Sequence, residues 1–385
     1  MGIYLNPGND GFKRALNSAI YVDKSGLIAY TNRVMDSEQE YICASRPRRF
    51  GKSMAANMLL AYYSRGCSSD GLFSSLEIAG ESSYKEHLNQ YDVIFLNMQH
   101  FLSGAKSAGN ITKYLEKTVL AELKEVYGHW IPDKEKQLPA ALSAVFSKDK
   151  REKKGFIFII DEWDCIFRED KQNKKAQKVY LDFLKDLLKD RIYVKLAYMT
   201  GILPIKKYGT HSALNIFSEF SMTGPKNLAE FAGFTEMEVK ELCFEYNMDF
   251  EEARRWYDGY QFKEIKHIYN PKSIVDAMTE EEFQSYWTGT ETYEALKIYI
   301  DLNFDGLKDA IISMIGGARC KINVRKFQND MTSFTSKDEV LALLIHLGYL
   351  AYDGRTKEVF IPNMEIMEEF KNAAEGTKER LYINT

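Results

Sequence analysis

The stretch YICASRPRRFGKSMAANMLLAYY, residues 41–63, decides how this chain is read. It opens on strand formers (YICAS) and closes on a helical run that holds neither Gly nor Pro. Between them, Gly51-Lys52-Ser53 has the form that ends a phosphate-binding loop, although Arg46 stands where the loop's first glycine is expected. A bare G-K-[ST] arises by chance roughly 0.2 times in a chain of this length. Position adds the weight, because a P-loop lies between a buried strand and a helix. Backbone N–H groups of such a turn point at phosphates, and the helix macrodipole favours their charge. The cradle is expected to comprise Arg48, Arg49, Phe50, Gly51, Lys52, Ser53 and Met54. Gly51 lets the backbone approach, Lys52 reaches the β- and γ-phosphates, and Ser53 ligates Mg²⁺.

Hydrolysis needs a second element, and residues 155–161 (GFIFIID) have its form. This apolar run ends in Asp161-Glu162, at the strand edge where open α/β sheets bind ligands. Asp161 is placed to hold Mg²⁺ through water, and Glu162 to polarise the attacking water. Alone, Asp-Glu also reads as an ordinary strand-to-loop transition; the upstream loop favours catalysis. Similar runs occur at 41–45, 92–98 (DVIFLNM), 193–200 (YVKLAYMT) and, less clearly, 219–222. Near-continuous apolar strands are those buried on both faces. Helical stretches separate them; in residues 176–190, Val179, Phe183, Leu184, Leu187 and Leu188 make an apolar stripe. The alternation predicts an α/β fold with a mainly parallel sheet. The long interval between Lys52 and Asp161, which includes residues 92–98, predicts one strand between the P-loop strand and the Asp-Glu strand. The run at 193–200 ends in Thr200, whose hydroxyl is either a γ-phosphate sensor or a plain strand end.

With 385 residues the chain exceeds what one core usually serves. Its 45% hydrophobic content is globular, and its net charge of −4 gives no general attraction to nucleic acid or anionic membrane. Five scattered cysteines without a CxxC pair fit a reducing cytoplasm. No apolar run approaches the roughly 18 residues of a membrane span. The N-terminus, MGIYLNPGND, lacks secretory and myristoylation patterns. Six histidines without ligand spacing give no expectation of zinc. The character changes at 222–225, so the expected domains are a P-loop domain (1–225), a helical domain (226–305) and a winged-helix-like domain (306–385). For the last, Ser336-Lys337-Asp338-Glu339 has capping-box form before an apolar helix, and LAYDGRTKEVFIPN reads as a hairpin. The basic run 148–154 (KDKREKK) reads as a solvated loop.

Together, SRPRRFGKS, IFIIDEWD and MTGILPIKKYG resemble the bacterial AAA-ATPase-like family, related to archaeal and STAND-type NTPase switches. YVDKSGLI, FAGFTEMEVKELC, WYDGYQF, YNPKSIVDAM, YWTGTETYEAL, LIHLGYLAYD and FIPNMEIMEEF recur in the family's order, so the resemblance covers roughly residues 21–370. It implies that Arg46 in the glycine's place is normal, and that an AAA-like ATPase core precedes helical and winged-helix segments. Many members then carry a PD-(D/E)xK nuclease-like domain; here the sequence stops at Thr385, where that domain is expected to begin. The nuclease chemistry itself is not found: Glu152-Lys153-Lys154 and Glu238-Val239-Lys240 fit the short pattern, the first in a charged loop and the second on an expected helix, as chance also produces. Some relatives carry an Arg after the sensor strand, whereas this chain has Lys206 and Lys207. Arg46, Arg48 and Arg49 remain as cations for transition-state charge, or as partners of Asp164 or Glu162.

Three lesser candidates have two readings each. His346 is either a core histidine or, as the resemblance to STAND switches suggests, a phosphate contact. Trp256-Tyr257-Asp258-Gly259-Tyr260 is packing with a tight turn, or an adenine platform. Asp23 and Lys24 mark a helix start or border the adenine pocket. The expected function is an ATP-binding, Mg²⁺-dependent ATPase that acts as a nucleotide switch on a protein partner. Two alternatives stay open: a non-hydrolysing ADP/ATP-binding module, and a winged-helix nucleic-acid binder linked to defence or mobile elements. For the last, hairpin cations Arg355 and Lys357 stand against Asp353 and Glu358.

Overall fold

The computed structural model describes residues 2–205, 214–262, 265–287, 304–327 and 334–383. The chain forms two compact units: Met1–Ser45 with Lys52–Phe220, and Arg46–Gly51 with Ser221–Thr385.

The first unit is built on strands β1 (Tyr41–Ser45), β2 (Asp92–Asn97), β3 (Phe156–Asp161), β4 (Val194–Gly201) and β5 (Ser218–Phe220). Their order is β2-β3-β4-β1-β5, with every pairing parallel. Every residue of β3 is buried, as are all but one of β4. Strands covered on both faces have no polar side, which is why the sequence shows unbroken apolar runs there. One strand does separate β1 from β3, but it is β4; β2 lies at the sheet edge beyond β3. The register pairs Ala44 with Thr200, Ile160 with Met199 and Asn97 with Asp161. The carboxyl ends of β1 to β4 therefore share one edge.

Two local expectations need correction in this unit. In the helix Lys174–Leu188 the buried stripe is Ala176, Gln177, Tyr180, Leu181, Leu184, Leu187 and Leu188, while Val179 is 46% exposed and Phe183 half-buried. Tyr180 displaces Val179 because its ring fills the core while its hydroxyl donates to the Trp163 carbonyl at 2.8 Å. The basic segment after Lys148 is a loop but not simply solvated. Asp92 and Asp149 are buried there, and the Arg151 guanidinium bonds both at 2.5 Å. A buried carboxylate needs such a partner.

The second unit holds two small antiparallel sheets. One comprises β6 (Phe234–Thr235), β7 (Tyr260–Phe262) and β8 (Ile265–Tyr269), in the order β6-β8-β7; the other comprises β9 (Cys320–Lys321), β10 (Ala351–Asp353) and β11 (Glu358–Phe360), in the order β10-β11-β9. β10 and β11 are the hairpin expected from the sequence. The helix Lys337–Leu347 starts where expected, but its capping box is absent: Ser336 makes no side-chain cap bond. The Glu339 carboxylate is taken instead by the Thr335 N–H at 2.6 Å and hydroxyl at 3.1 Å. A capping box forms elsewhere, between Thr235 and Glu238 at the head of Glu236–Glu245. That helix also carries Glu238-Val239-Lys240, whereas Glu152-Lys153-Lys154 lies in a loop.

Tyr257 and Tyr260 are buried, and their hydroxyls donate to the Gln284 carbonyl at 2.8 Å and the Gly348 carbonyl at 2.6 Å. Gly259 has φ +118°, and a Cβ there would lie 2.1 Å from the Pro362 carbonyl oxygen, so only glycine fits. The WYDGY segment thus packs where the helix Phe250–Tyr257 passes into β7.

Candidate nucleotide site

Lys52 and Ser53 open the helix Lys52–Tyr63, which follows β1 through the loop at 46–51. Asp161 ends β3, one residue before Glu162, and Thr200 lies near the end of β4. The parallel register thus brings these five expected residues to one sheet edge. Asp161 is 1% exposed. Its carboxylate accepts hydrogen bonds from the Glu162 N–H at 3.1 Å and the Asn97 amide at 3.5 Å. Burial pushes this carboxyl above its usual range, and the nearby Ser53 hydroxyl opposes that shift. Burial likewise pulls the Lys52 ammonium down, against the charges of Glu162, Asp164 and Asp161. Ser53 and Asp161 bring two hard oxygen donors together, which suits an octahedral Mg²⁺ that keeps most of its waters.

The Thr200 hydroxyl is fully buried and has no hydrogen-bond partner. An orphaned buried hydroxyl costs about 1–3 kcal/mol, so its retention calls for a cause beyond packing.

Glu162 sits at φ +55°, a left-handed conformation that costs a residue with a Cβ about 1–2 kcal/mol. Its carboxylate is paired with Arg168 Nη2, while Arg168 Nε donates to Asp164 at 3.2 Å. Asp164, fully buried, also accepts the N–H groups of Ile202 at 3.1 Å and Leu203 at 2.8 Å, just past β4. Burial works against the charge on Arg168, but Asp164 and Glu162 outweigh it. Sequence reading missed Arg168 and Asn97. The signal for Arg168 was its spacing of four from Asp164, which the short helix Cys165–Glu169 turns into one face. Asn97 was visible only through the β2–β3 register.

The loop residues before Lys52 belong to the second unit. Arg46 is 1% exposed; its guanidinium lies 5.1 Å from the Phe262 ring centroid and donates to the Leu228 carbonyl at 3.3 Å. Phe50, also buried, meets the Tyr260 ring edge-on at 5.2 Å. Arg49, at φ +70°, donates to the Tyr286 carbonyl, and Arg48 is half-buried. Gly51, at φ +79°, has no atom within 4 Å of where a Cβ would sit, so its open side is free for a ligand's close approach. Met54 is 42% exposed. Arg168, which was not among the cations weighed from sequence, pairs with both Glu162 and Asp164.

Asp23 accepts the N–H groups of Ser25 and Glu77, each at 2.7 Å, just ahead of the helix Gly26–Val34. His346 is buried in the second unit against Phe327, with Nδ1 lacking a partner; burial pulls its pKa down to about 3, and Arg46 adds to the shift. Lys206 and Lys207 lie outside the described residues.

The family model described as "Predicted AAA-ATPase" matches residues 9–210, more than half of the sequence. The chain belongs to the AAA-ATPase-like family. As a member it is a P-loop ATPase that binds nucleotide, and the matched residues include the loop, Asp161, Glu162 and Thr200. Among solved structures it is similar to a Walker-type ATPase of Pyrococcus abyssi, at 12% identity over 94% of each chain with a TM-score of 0.42. No curated protein matches. Among the described residues, no helix of this AAA-ATPase-like chain is long and apolar enough to cross a membrane.

Proposed function

We propose that this ATPase binds ATP with Mg²⁺ on the loop at 48–54, hydrolyses it slowly, and serves as a nucleotide-dependent switch. The observation that carries the reading is the placement of Lys52 buried among Asp161, Glu162 and Asp164, with the Ser53 hydroxyl acting on the buried Asp161 carboxylate. Ser53 and Asp161 are the residues that would hold the metal, which when bound would neutralise phosphate charge. Lys52 neutralises phosphate charge, and Gly51 admits the phosphates to the backbone N–H groups. Thr200 donates its hydroxyl to the γ-phosphate or the attacking water. Glu162 orients that water once it parts from Arg168, and this prior pairing is why turnover is slow.

The switch role is supported by the division of the loop itself, in which Arg46–Gly51 pack with the second unit's residues while Lys52 and Ser53 belong to the first. In the second unit, β9–β11 with the helix Lys337–Leu347 supports a winged-helix-like reading. Its hairpin charges, Arg355 and Lys357 against Asp353 and Glu358, favour a protein partner over nucleic acid. The test is Glu162→Gln in a phosphate-release assay. Turnover is expected to fall by about two orders of magnitude with ATP affinity retained. Turnover equal to that of the parent would remove Glu162 from the mechanism.

A further inference from the structure

The second unit contains a cleft of about 540 Å³ to which nothing so far gives a role. Its lining comes from the segment 222–225, from β7, from Lys266 on β8, from Arg319 just before β9, and from β10 with the turn that follows it. The volume falls within the range of small-molecule pockets, roughly 300–1,000 Å³.

The lining has two chemical halves. Lys266, Arg319 and Arg355 supply cations, while Met222, Phe262 and Tyr352 supply apolar and aromatic surface. Among the described lining residues these three cations stand with one carboxylate, Asp353. Asp353 is largely committed to the turn. It accepts the N–H groups of Arg355 at 2.9 Å and Thr356 at 3.3 Å, and these bonds hold its carboxyl below its usual range. Arg319 is preorganised: its guanidinium lies 4.1 Å from the Phe360 ring centroid, with one edge 3.5 Å from Asp353. Its side chain is 41% exposed, so part of the fork remains available to a ligand.

We infer that this cleft binds a small phosphate monoester with a planar or apolar body, separately from the Walker loop. Three cations brought to one cleft suit a monoester, which carries about −1.5 to −2 at neutral pH, better than a single carboxylate. Arginine forks suit its oxygens, and Tyr352 with Phe262 offers surface for the organic body. A nucleoside monophosphate and a phosphorylated metabolite share this chemistry.

The probe is 1-naphthyl phosphate, titrated into the full chain and followed by its own fluorescence. The proposal predicts saturable binding that weakens roughly ten-fold in Arg319→Gln and in Arg355→Gln. Lys52→Ala is expected to leave this binding unchanged, which separates it from the nucleotide reading. AMP and glucose 6-phosphate as competitors, titrated into Lys52→Ala, distinguish the two sources by which displaces the probe at lower concentration. Arg319 lies at the surface, and an unchanged thermal midpoint checks that its variant is folded. Four results would overturn the proposal: no saturable binding; equal binding of 1-naphthol; loss of binding in Lys52→Ala with retention in both arginine variants; or displacement only by single-stranded oligonucleotides, with neither monoester competing.

Discussion

Arg168→Lys is expected to speed ATP turnover rather than slow it. In the parent, the Arg168 guanidinium bridges Glu162 and Asp164, with side-chain exposures of 9%, 24% and 0% respectively. Lysine keeps a positive charge four residues from Asp164 but loses the second nitrogen that reaches Glu162. An exposed ion pair contributes about 0.2–1 kcal/mol, and breaking a buried one costs about 3–5 kcal/mol. The Arg168–Glu162 pair lies between these limits, nearer the exposed one on the Glu162 side, so about 1.4 kcal/mol is a reasonable restraint. If Glu162 must leave Arg168 before it meets the attacking water, removing that restraint raises kcat about ten-fold. Phosphate release at saturating Mg²⁺ and ATP measures kcat, and an ATP titration should give an unchanged Kd. Arg168→Gln should raise kcat similarly but destabilise the chain more, because it leaves Asp164 buried without a cation. Should kcat fall in Arg168→Lys as it does in Glu162→Gln, Arg168 aids the chemistry and the restraint does not exist.

Two further outcomes follow from buried groups. Thr200→Val removes a hydroxyl that has no partner, so stability should hold or rise by up to about 1 kcal/mol while turnover drops at least ten-fold; thermal melts and phosphate release read the two separately. Burial raises the Glu365 carboxyl from 4.5 to about 7, so the folded state holds that proton more tightly than the unfolded chain. Stability from this group is full below pH 4.5 and is lost as pH rises to 7, by about 3 kcal/mol. Glu365→Gln should therefore gain on the parent in thermal midpoint across that window, and an unchanged difference would contradict the burial argument. His346 acts in the opposite direction, favouring the folded state less as pH falls below 6.5, so comparison with the variant isolates the Glu365 share.

The parallel core was legible because strands covered on both faces must be apolar throughout, and β1 to β4 lie within a residue or two of their expected bounds. The positions of Lys52, Ser53, Asp161 and Thr200 followed from the same strand ends. Helix faces were less legible. Val179 satisfied the apolar period, yet Tyr180 took the buried position because its hydroxyl found a carbonyl. Ser336 had the right spacing to Glu339, but Thr335 was nearer to hand. The role of Arg46 was hidden for a different reason. Its partners, Leu228 and Phe262, are remote in sequence, and no local pattern announces a guanidinium stacked on a ring. Arg168 was within reach of sequence reasoning, since i,i+4 acid–base spacing was present in DEWDCIFR.

Equilibrium binding of a fluorescent ATP analogue to the parent and to Lys52→Ala, with and without Mg²⁺, bears most directly on whether phosphates occupy the turn that precedes the Lys52–Tyr63 helix. The parent should bind saturably and more tightly with Mg²⁺, and the variant should lose about 100-fold in affinity, the worth of one buried charge-assisted contact. Equal affinity in the two proteins would place the nucleotide elsewhere and contradict the account.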